Sequence, residues 1–228
     1  MSMPSKRTKE LKEKFDKKKI HSVDEAVKLV KEMATSKFDE AIELHVQLGI
    51  DPKKSDQQVR GTISFPHGIG KTKRIAAFVD PNKEAEAKEA GADIIGNEEF
   101  IAEMVQKGTI DFDVAVATPT MMPKLAKLAR FLGPRGLMPN PKTDTMSPNV
   151  KKMIEEQKAG KESYKNDATS NIHQVFGRAS MSEEQLKENL KALTDAIKRL
   201  KPGSSKGIYL KGASVASTMG PGIKVDIS

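Results

Sequence analysis

The hydrophobic pattern of this 228-residue chain changes twice along its length. From Ile42 to Leu48 apolar and polar residues alternate, which predicts a strand with one wet face, as in an antiparallel sheet. Between residues 75 and 132 short apolar runs alternate with helical patterns, as expected for parallel strands that helices cover on both faces. The alternating pattern returns from Lys161. The sequence therefore predicts one domain inserted into another.

The two ends of the chain are predicted to form an α/β domain with a mainly antiparallel sheet. The strands at 42–48 and 59–65 are expected to pair as a hairpin. Helices are predicted to begin at Ser22 and Ser182, each followed three residues later by Glu25 or Gln185 in a capping box. Further strands are predicted at 162–165, at 172–176, from 208 towards 215 and at 223–227.

The middle of the chain is predicted to form a small parallel sheet between helices. The expected strands are 75–79, 92–96 and 114–117, and the expected helices are 82–90, 98–107, 120–132 and 147–158. Such a fold permits a ligand at the carboxyl ends of its strands. However, no G-x-G-x-x-G motif supports a dinucleotide site.

The composition favours a polyanionic partner, because Lys and Arg outnumber Asp and Glu by 39 to 31 and the net charge is +8. The Lys-rich segment 4–20 suits either a surface helix or a basic arm that contacts phosphate. The chain has no Cys, which excludes disulfides, thiolate metal sites and a cysteine nucleophile. No signal peptide or apolar membrane span is apparent, so the protein is expected to be soluble and intracellular.

The segment 65–72 is similar to a phosphate-binding loop, but the motif is incomplete. Gly70, Lys71 and Thr72 supply its second half, whereas Phe65 occupies the place of the first glycine. A strand pattern follows where the motif needs a helix. This segment is instead predicted to be a Pro- and Gly-rich connection between the two domains.

An enzyme would need a catalytic or metal-binding group of residues, and none is predicted. The four histidines are scattered along the sequence. Asp111 and Asp113 lie on one face of a strand pattern, where they could hold a cation, but they are more easily explained as a turn before the strand at 114–117. No cofactor is expected.

Several short motifs, in the same order and near the same spacings, carry a resemblance to a known family. They are Lys37-Phe38-Asp39-Glu40, Gly49-Ile50-Asp51 through Ser55-Asp56-Gln57, Val59-Arg60-Gly61, Pro66-His67-Gly68 with Gly70-Lys71, the run 133–142 and Thr218-Met219-Gly220-Pro221. With these motifs the chain resembles the L-one family of bacterial large-subunit ribosomal proteins, found on the mobile stalk at the tRNA exit side of the ribosome. The resemblance covers nearly the whole chain.

The resemblance implies a fold of two domains. Residues 1–66 and 161–228 would form a discontinuous two-layer α/β domain that binds RNA. Residues 67–160 would form an inserted Rossmann-like domain with a three-layer α/β arrangement and a parallel sheet. The implied hinge residues are Pro66, His67, Gly68, Gly70 and Gly160.

The resemblance also implies a non-enzymatic function. The protein would bind large-subunit rRNA at the mobile stalk and assist release of deacylated tRNA from the exit site. It would repress translation of its own operon by binding a similar structure in the mRNA. Off the ribosome it would be a cytoplasmic monomer with no membrane partner. The alternatives are a basic α/β nucleotide-binding enzyme and a non-specific RNA-binding protein that acts through charge alone.

The family's RNA contacts, carried over by motif, all fall in the implied RNA-binding domain. They are Lys37, Phe38, Glu43, Asn166, Asp167, Thr218, Met219 and Gly220. The Thr218 hydroxyl is suited to bond a ribose 2′-OH, and Met219 and Phe38 to contact sugars or bases. Two departures from the family pattern, Ala41 in place of Ser or Thr and Ala168 in place of Lys, each remove a potential polar contact.

Overall fold

A computed structural model describes Leu11, Asp16 and residues 19–70 and 73–227, except the side chains of Lys107 and Lys142. Most of the basic segment 4–20 and the Lys71-Thr72 pair of the incomplete phosphate loop lie outside the described residues. The chain forms two compact units, which are 1–70 with 163–228 (unit 1) and 71–162 (unit 2). The α/β class is confirmed, with an antiparallel sheet in unit 1 and a parallel sheet in unit 2.

The helices are α1 (Val23–Met33), α2 (Glu84–Glu89), α3 (Glu98–Lys107), α4 (Met122–Leu125), α5 (Ala129–Leu132), α6 (Val150–Lys158) and α7 (Glu183–Arg199). The strands are β1 (Ala41–Leu48), β2 (Arg60–Ser64), β3 (Ile75–Phe78), β4 (Ile94–Ile95), β5 (Val114–Ala117), β6 (Lys161–Lys165), β7 (Asn171–Arg178), β8 (Leu210–Ser217) and β9 (Ile223–Val225).

Unit 1 is built on a four-stranded sheet, the main sheet, with the order β7-β1-β8-β9 and antiparallel neighbours throughout. Its inner face packs on α1 and α7, where Leu44, Phe176 and Val215 join the helix residues Val30 and Leu190 in one core. The opposite face, here called the open face, carries side chains that alternate with the buried ones and are at least partly exposed. Burying one face leaves the other for polar side chains.

The predicted hairpin of β1 with the strand at 59–65 is wrong. β1 lies between β7 and β8, and β2 pairs with β6 in a separate two-stranded sheet. The chain after β1 is held elsewhere, because the Gly49 amide donates to the Tyr209 carbonyl at 2.7 Å. A Cβ at Gly49 would lie 2.0 Å from the Ile208 carbonyl oxygen. The alternating pattern identified both strands correctly but contains no information about their partners.

The two predicted capping boxes differ in the structure. At the start of α7 both arms are present, since the Gln185 amide donates to the Ser182 hydroxyl and the Ser182 amide donates to the Gln185 side chain. At the start of α1 the Glu25 amide donates to Ser22, but the Glu25 carboxylate contacts Nδ1 of His21 at 3.2 Å. The Glu25 carboxylate is therefore bound to His21 and does not close the capping box of α1.

Unit 2 has three layers around a parallel sheet of order β4-β3-β5. Residues of α2 and α6 pack on one face with Ile75 and Val116. Residues of α3 and the segment 119–132 pack on the other face with Phe78 and Ala115. The predicted helix at 120–132 is broken into 3-10 turns and the short helices α4 and α5. Pro123 has no N–H to donate to Pro119, whose carbonyl instead accepts from Met122.

Candidate nucleic-acid interface

One end of the main sheet brings together two of the predicted segments. The Thr218 amide donates to the Ala41 carbonyl at 3.0 Å, so the turn after β8 is fastened to the start of β1. The Ala41 amide in turn donates to the Thr218 hydroxyl at 3.0 Å. That hydroxyl also lies 3.3 Å from the Ala41 carbonyl oxygen, to which it can donate. Thr218 therefore builds the interface, and its hydroxyl is already largely engaged within the protein.

Glu40 holds this arrangement together, although the sequence reasoning did not select it. Its side chain is almost completely buried, with 1% exposure. The carboxylate accepts the Ser36 amide at 2.9 Å and the Met219 amide at 3.0 Å. Burial acts to raise the pKa of Glu40, but donors from Met219, Ser217 and Ser36 outweigh it and lower this pKa to about 2. Glu40 thus joins the segment 36–40 to the turn at 218–220 as an anion.

Two large apolar side chains lie on the segments that Glu40 joins. Phe38 is 54% exposed and Met219 is 58% exposed. Both side chains are therefore accessible to a partner at this end of the open face. Lys37, next to Phe38, is also exposed and adds a positive charge. Flat apolar contacts beside a cation suit the sugars and bases of RNA.

Gly220 has a structural role in the turn that follows β8. The Gly220 amide closes the turn by donating to the Ser217 carbonyl at 3.0 Å. A Cβ at position 220 would lie 2.4 Å from the hydroxyl oxygen of Ser217, a buried side chain. The absence of a side chain at position 220 therefore leaves room for the Ser217 hydroxyl in this turn.

Asn166 and Asp167 lie at the other end of the main sheet. Asn166 is bridged to Ile172, which lies opposite Val46 of β1. Five residues separate Val46 from Ala41, so this loop lies roughly 17 Å along the sheet from the Glu40 end. The structure therefore divides the predicted site residues into two groups, with Glu43 on the open face between them.

The side chains of Asn166 and Asp167 shape their own loop. The Asn166 side-chain oxygen accepts the Val59 amide at 2.8 Å. The Asp167 carboxylate accepts the Thr169 hydroxyl at 2.6 Å and the Asn171 amide at 2.7 Å. These donors, with the Thr169 hydroxyl first, hold the pKa of Asp167 well below its ordinary value. A fixed loop of this kind presents a defined edge at the start of β7.

Within the described residues no group of three or more His, Asp or Glu side chains could hold a metal ion. The Asp111 and Asp113 carboxylates both face Arg74, which donates from its side chain to Asp111 at 2.6 Å and from its amide to Asp113 at 3.1 Å. None of the helices in the described part of the chain has the length and apolar composition of a membrane span.

A basic protein of two α/β units, with an open sheet face that ends in exposed Phe38 and Met219, has the features of a nucleic-acid-binding protein. Comparison with known families identifies it further. Residues 30–221 match the Ribosomal protein L1p/L10e family, and the chain belongs to that family.

Relatives with the name Large ribosomal subunit protein uL1 are similar over nearly their full length. The Methylobacillus flagellatus protein is 52% identical over 228 residues, which cover 100% of this chain and 99% of the relative. The Corynebacterium glutamicum protein is 50% identical over 226 residues, with 99% and 95% covered. The Kosmotoga olearia protein is 49% identical over 226 residues, with 99% and 97% covered.

Membership of this family settles the general class of function. The protein is a structural component of the large ribosomal subunit and takes part in translation. It is associated with rRNA, it is not an enzyme, and it is cytoplasmic and ribosome-associated.

Proposed function

We propose that this protein binds the mobile-stalk region of large-subunit rRNA near the tRNA exit site. There it assists release of deacylated tRNA, and it represses translation of its own operon by binding a similar mRNA structure. The observation that carries the proposal is the Glu40 network, which fixes Phe38 and Met219 as exposed contacts at one end of an open sheet face. A surface that is already ordered before binding loses little conformational entropy when it binds a folded RNA.

The RNA-contacting residues that we propose are Lys37, Phe38, Glu43, Asn166, Asp167, Thr218, Met219 and Gly220. Because Thr218, Gly220, Asn166 and Asp167 make contacts within the protein, their role is to shape the surface and to present backbone groups. Lys37, Phe38, Thr218 and Met219 are the exposed residues of the set, although the Thr218 hydroxyl is bonded within the protein.

For the domains, we propose 1–66 with 161–228 as the RNA-binding domain and 67–160 as the inserted domain. The proposed hinge consists of Pro66, His67, Gly68, Gly70 and Gly160. Gly68, Gly70 and Gly160 have φ of 62°, 71° and 90°, a region that favours glycine. Asn189 of α7 binds the His67 amide and the Gly68 carbonyl, so movement within the hinge is expected beyond Gly68.

A second candidate is a non-specific RNA-binding protein that acts through charge. The net charge of +8 favours it, since a cationic surface attracts any polyanion. The two candidates differ in their response to salt and in their choice of RNA. Off the ribosome we propose that the protein is a monomer.

The test is a binding titration of the full-length protein against stalk-region rRNA and a structured control RNA of equal length, at several salt concentrations. We expect selective binding to the stalk RNA that persists at high salt. We also expect that Met219→Ala weakens it by roughly 1.5–3 kcal/mol, as loss of an apolar side chain buried on binding would. Equal affinity for both RNAs that collapses with salt would favour the charge-driven candidate.

A further inference from the structure

A row of polar side chains crosses all four strands of the open face. His173 of β7 lies opposite His45 of β1, His45 lies opposite Ser214 of β8, and Ser214 lies opposite Lys224 of β9. These four residues and Lys211 line one depression on the open face. The row lies beyond Glu43, and none of the five belongs to the interface proposed above.

The two imidazoles are close enough to share a proton. Their Nδ1 atoms are 2.8 Å apart, so one nitrogen must donate and the other accept. Nε2 of His173 lies 3.5 Å from the Asp167 carboxylate, and Nε2 of His45 lies 3.8 Å from the Glu43 carboxylate. Both outward nitrogens therefore face an anion.

The three contacts are the one between the two Nδ1 atoms and the two between an Nε2 atom and a carboxylate. Only one protonation state of the pair makes all three favourable. With one proton beyond the neutral pair, His173 donates from both nitrogens, and His45 accepts at Nδ1 and carries its own proton at Nε2. The neutral pair turns a lone pair towards one of the carboxylates, and the doubly charged pair brings two N–H groups together at 2.8 Å. Burial, and then the neighbouring His173, lower the pKa of His45. This agrees with a pair that takes up one proton beyond its neutral state and not two.

We propose that this row is a phosphate-binding extension of the RNA interface. A backbone phosphate of the bound RNA contacts Lys224, Ser214 and Lys211, and the singly protonated His45–His173 pair adds positive charge beside it. The inference rests on the proposed function, because it assigns a second contact area to the same RNA.

The order of charges along the row supports this assignment. The carboxylates of Glu43 and Asp167 lie at the β1 and β7 side, and both face the imidazoles. Lys224 lies on β9 at the other end, about 10 Å from His45 if strands are spaced at roughly 4.8 Å. An anion is therefore drawn to the β8–β9 side, where Ser214 offers a hydroxyl donor between Lys224 and His45.

The shared proton links this contact to pH. A phosphate favours the protonated pair, so affinity for RNA rises as the pH falls through the range in which the pair takes up its proton. The pKa of His45 is lowered from the ordinary histidine value near 6.5, so the rise in affinity is expected as the pH falls through and below about 6.5. The charged groups that face the pair or share its depression are Glu43 of β1, Asp167 before β7, Lys211 of β8 and Lys224 of β9.

The experiment measures binding of full-length variants to stalk-region rRNA across salt and pH. We expect Lys224→Gln to weaken binding about fivefold and to lower the slope of log affinity against log salt by about 1. Lys191→Gln is the matched control, because Lys191 is an exposed lysine of α7, the helix that covers the opposite face. It should change affinity less than about twofold.

The histidines are tested through the pH profile. We expect the affinity of the unaltered protein to rise about threefold or more between about pH 7.5 and pH 5.5, and His173→Gln to lose most of that rise. Unchanged thermal unfolding of each variant shows that it is folded. The inference is overturned if Lys224→Gln matches Lys191→Gln, or if His173→Gln keeps the full pH dependence.

The two levels of proposal can fail separately. If the unaltered protein binds stalk and control RNA equally, the proposed function fails and this inference fails with it. If the unaltered protein is selective and Met219→Ala weakens it, while Lys224→Gln behaves as the control, only the phosphate-binding row is refuted.

Discussion

The main sheet of unit 1 and the parallel sheet of unit 2 use strands in opposite ways. In β3 every side chain is buried, because helices cover both faces of its sheet. In β1 buried residues alternate with partly exposed ones, because the helices α1 and α7 cover a single face. The parallel sheet is thus entirely occupied by its own core. The main sheet leaves one face uncovered by its own helices, and the residues that we propose contact RNA lie on it and at its two ends.

The largest expected effect comes from Phe78→Ala, in the core of unit 2. Phe78 has no exposed surface and packs against Phe112 with ring centroids 6.0 Å apart. We expect a loss of about 3–5 kcal/mol in the free energy of unfolding of unit 2, measured by denaturant titration. Affinity for RNA should be unchanged under conditions in which the variant remains folded.

Phe38→Ala is the matched control for that change. Since Phe38 is 54% exposed, the same substitution should alter the free energy of unfolding by less than about 0.5 kcal/mol. It should instead weaken binding to stalk RNA. If Phe38→Ala destabilised the protein as much as Phe78→Ala, or left RNA binding intact, the contrast between the two units would be lost.

Glu40→Gln is expected to lower stability less than Phe78→Ala does, and to lower RNA affinity as well. A Gln amide group turns a donor towards amides that also donate, so we expect a loss of about 1–3 kcal/mol in the free energy of unfolding of unit 1. Because the segments bearing Phe38 and Met219 lose their common anchor, RNA affinity should fall as well. Glu43→Gln, on the open face, should leave stability nearly unchanged; equal destabilisation by both variants would argue against the anchoring role of Glu40.

The pH dependence of stability independently tests whether the Glu40 side chain is held as an anion. The pKa of Glu40 is about 2 in the folded protein against 4.5 for an ordinary Glu. Since the folded pKa is the lower one, the stabilisation is fully present above pH 4.5 and is lost as the pH falls towards 2. The difference in unfolding free energy between the unaltered protein and Glu40→Gln should therefore shrink on acidification. A constant difference across this range would show that Glu40 is not held as an anion.

The smallest effect is expected on the outer surface of unit 2. Lys124 pairs with Glu98, and both side chains are largely in water. Lys124→Ala should change the free energy of unfolding by less than about 0.5 kcal/mol and leave RNA affinity unaltered. A clear loss of RNA binding would mean that unit 2 also presents a contact surface.

The sequence patterns predicted the strands and helices well, but strand pairing less well. Alternation found β1 and β2, but it could not show that β7 and β8 occupy both edges of β1 and leave none for β2. The α7 capping box was predicted completely, whereas at α1 the neighbouring His21 binds the Glu25 carboxylate. Local patterns report the propensity of a segment, and long-range contacts decide between its alternatives.

The residues of the candidate site stay a prediction from the resemblance, and the sequence did not show how the protein holds them in place. A resemblance of motifs identified the turn at 218–220 and the segment around Phe38. It could not identify Glu40 as their link, because an acidic residue before a strand is unremarkable in sequence and only its burial and its donors distinguish it. The pairing of His45 with His173 was likewise hidden, since the two residues are 128 positions apart in the chain.

The hydrogen bonds between Ala41 and Thr218 join positions that are 177 residues apart. During synthesis β1 leaves the ribosome long before the turn that follows β8. Until that turn has emerged, the Glu40 carboxylate has no Met219 amide to accept, and Phe38 has no partner surface. The proposed RNA-binding surface therefore forms only after both segments have been synthesised. A copy truncated before that turn lacks the proposed surface, so any control of its own mRNA would respond to chains that contain both segments.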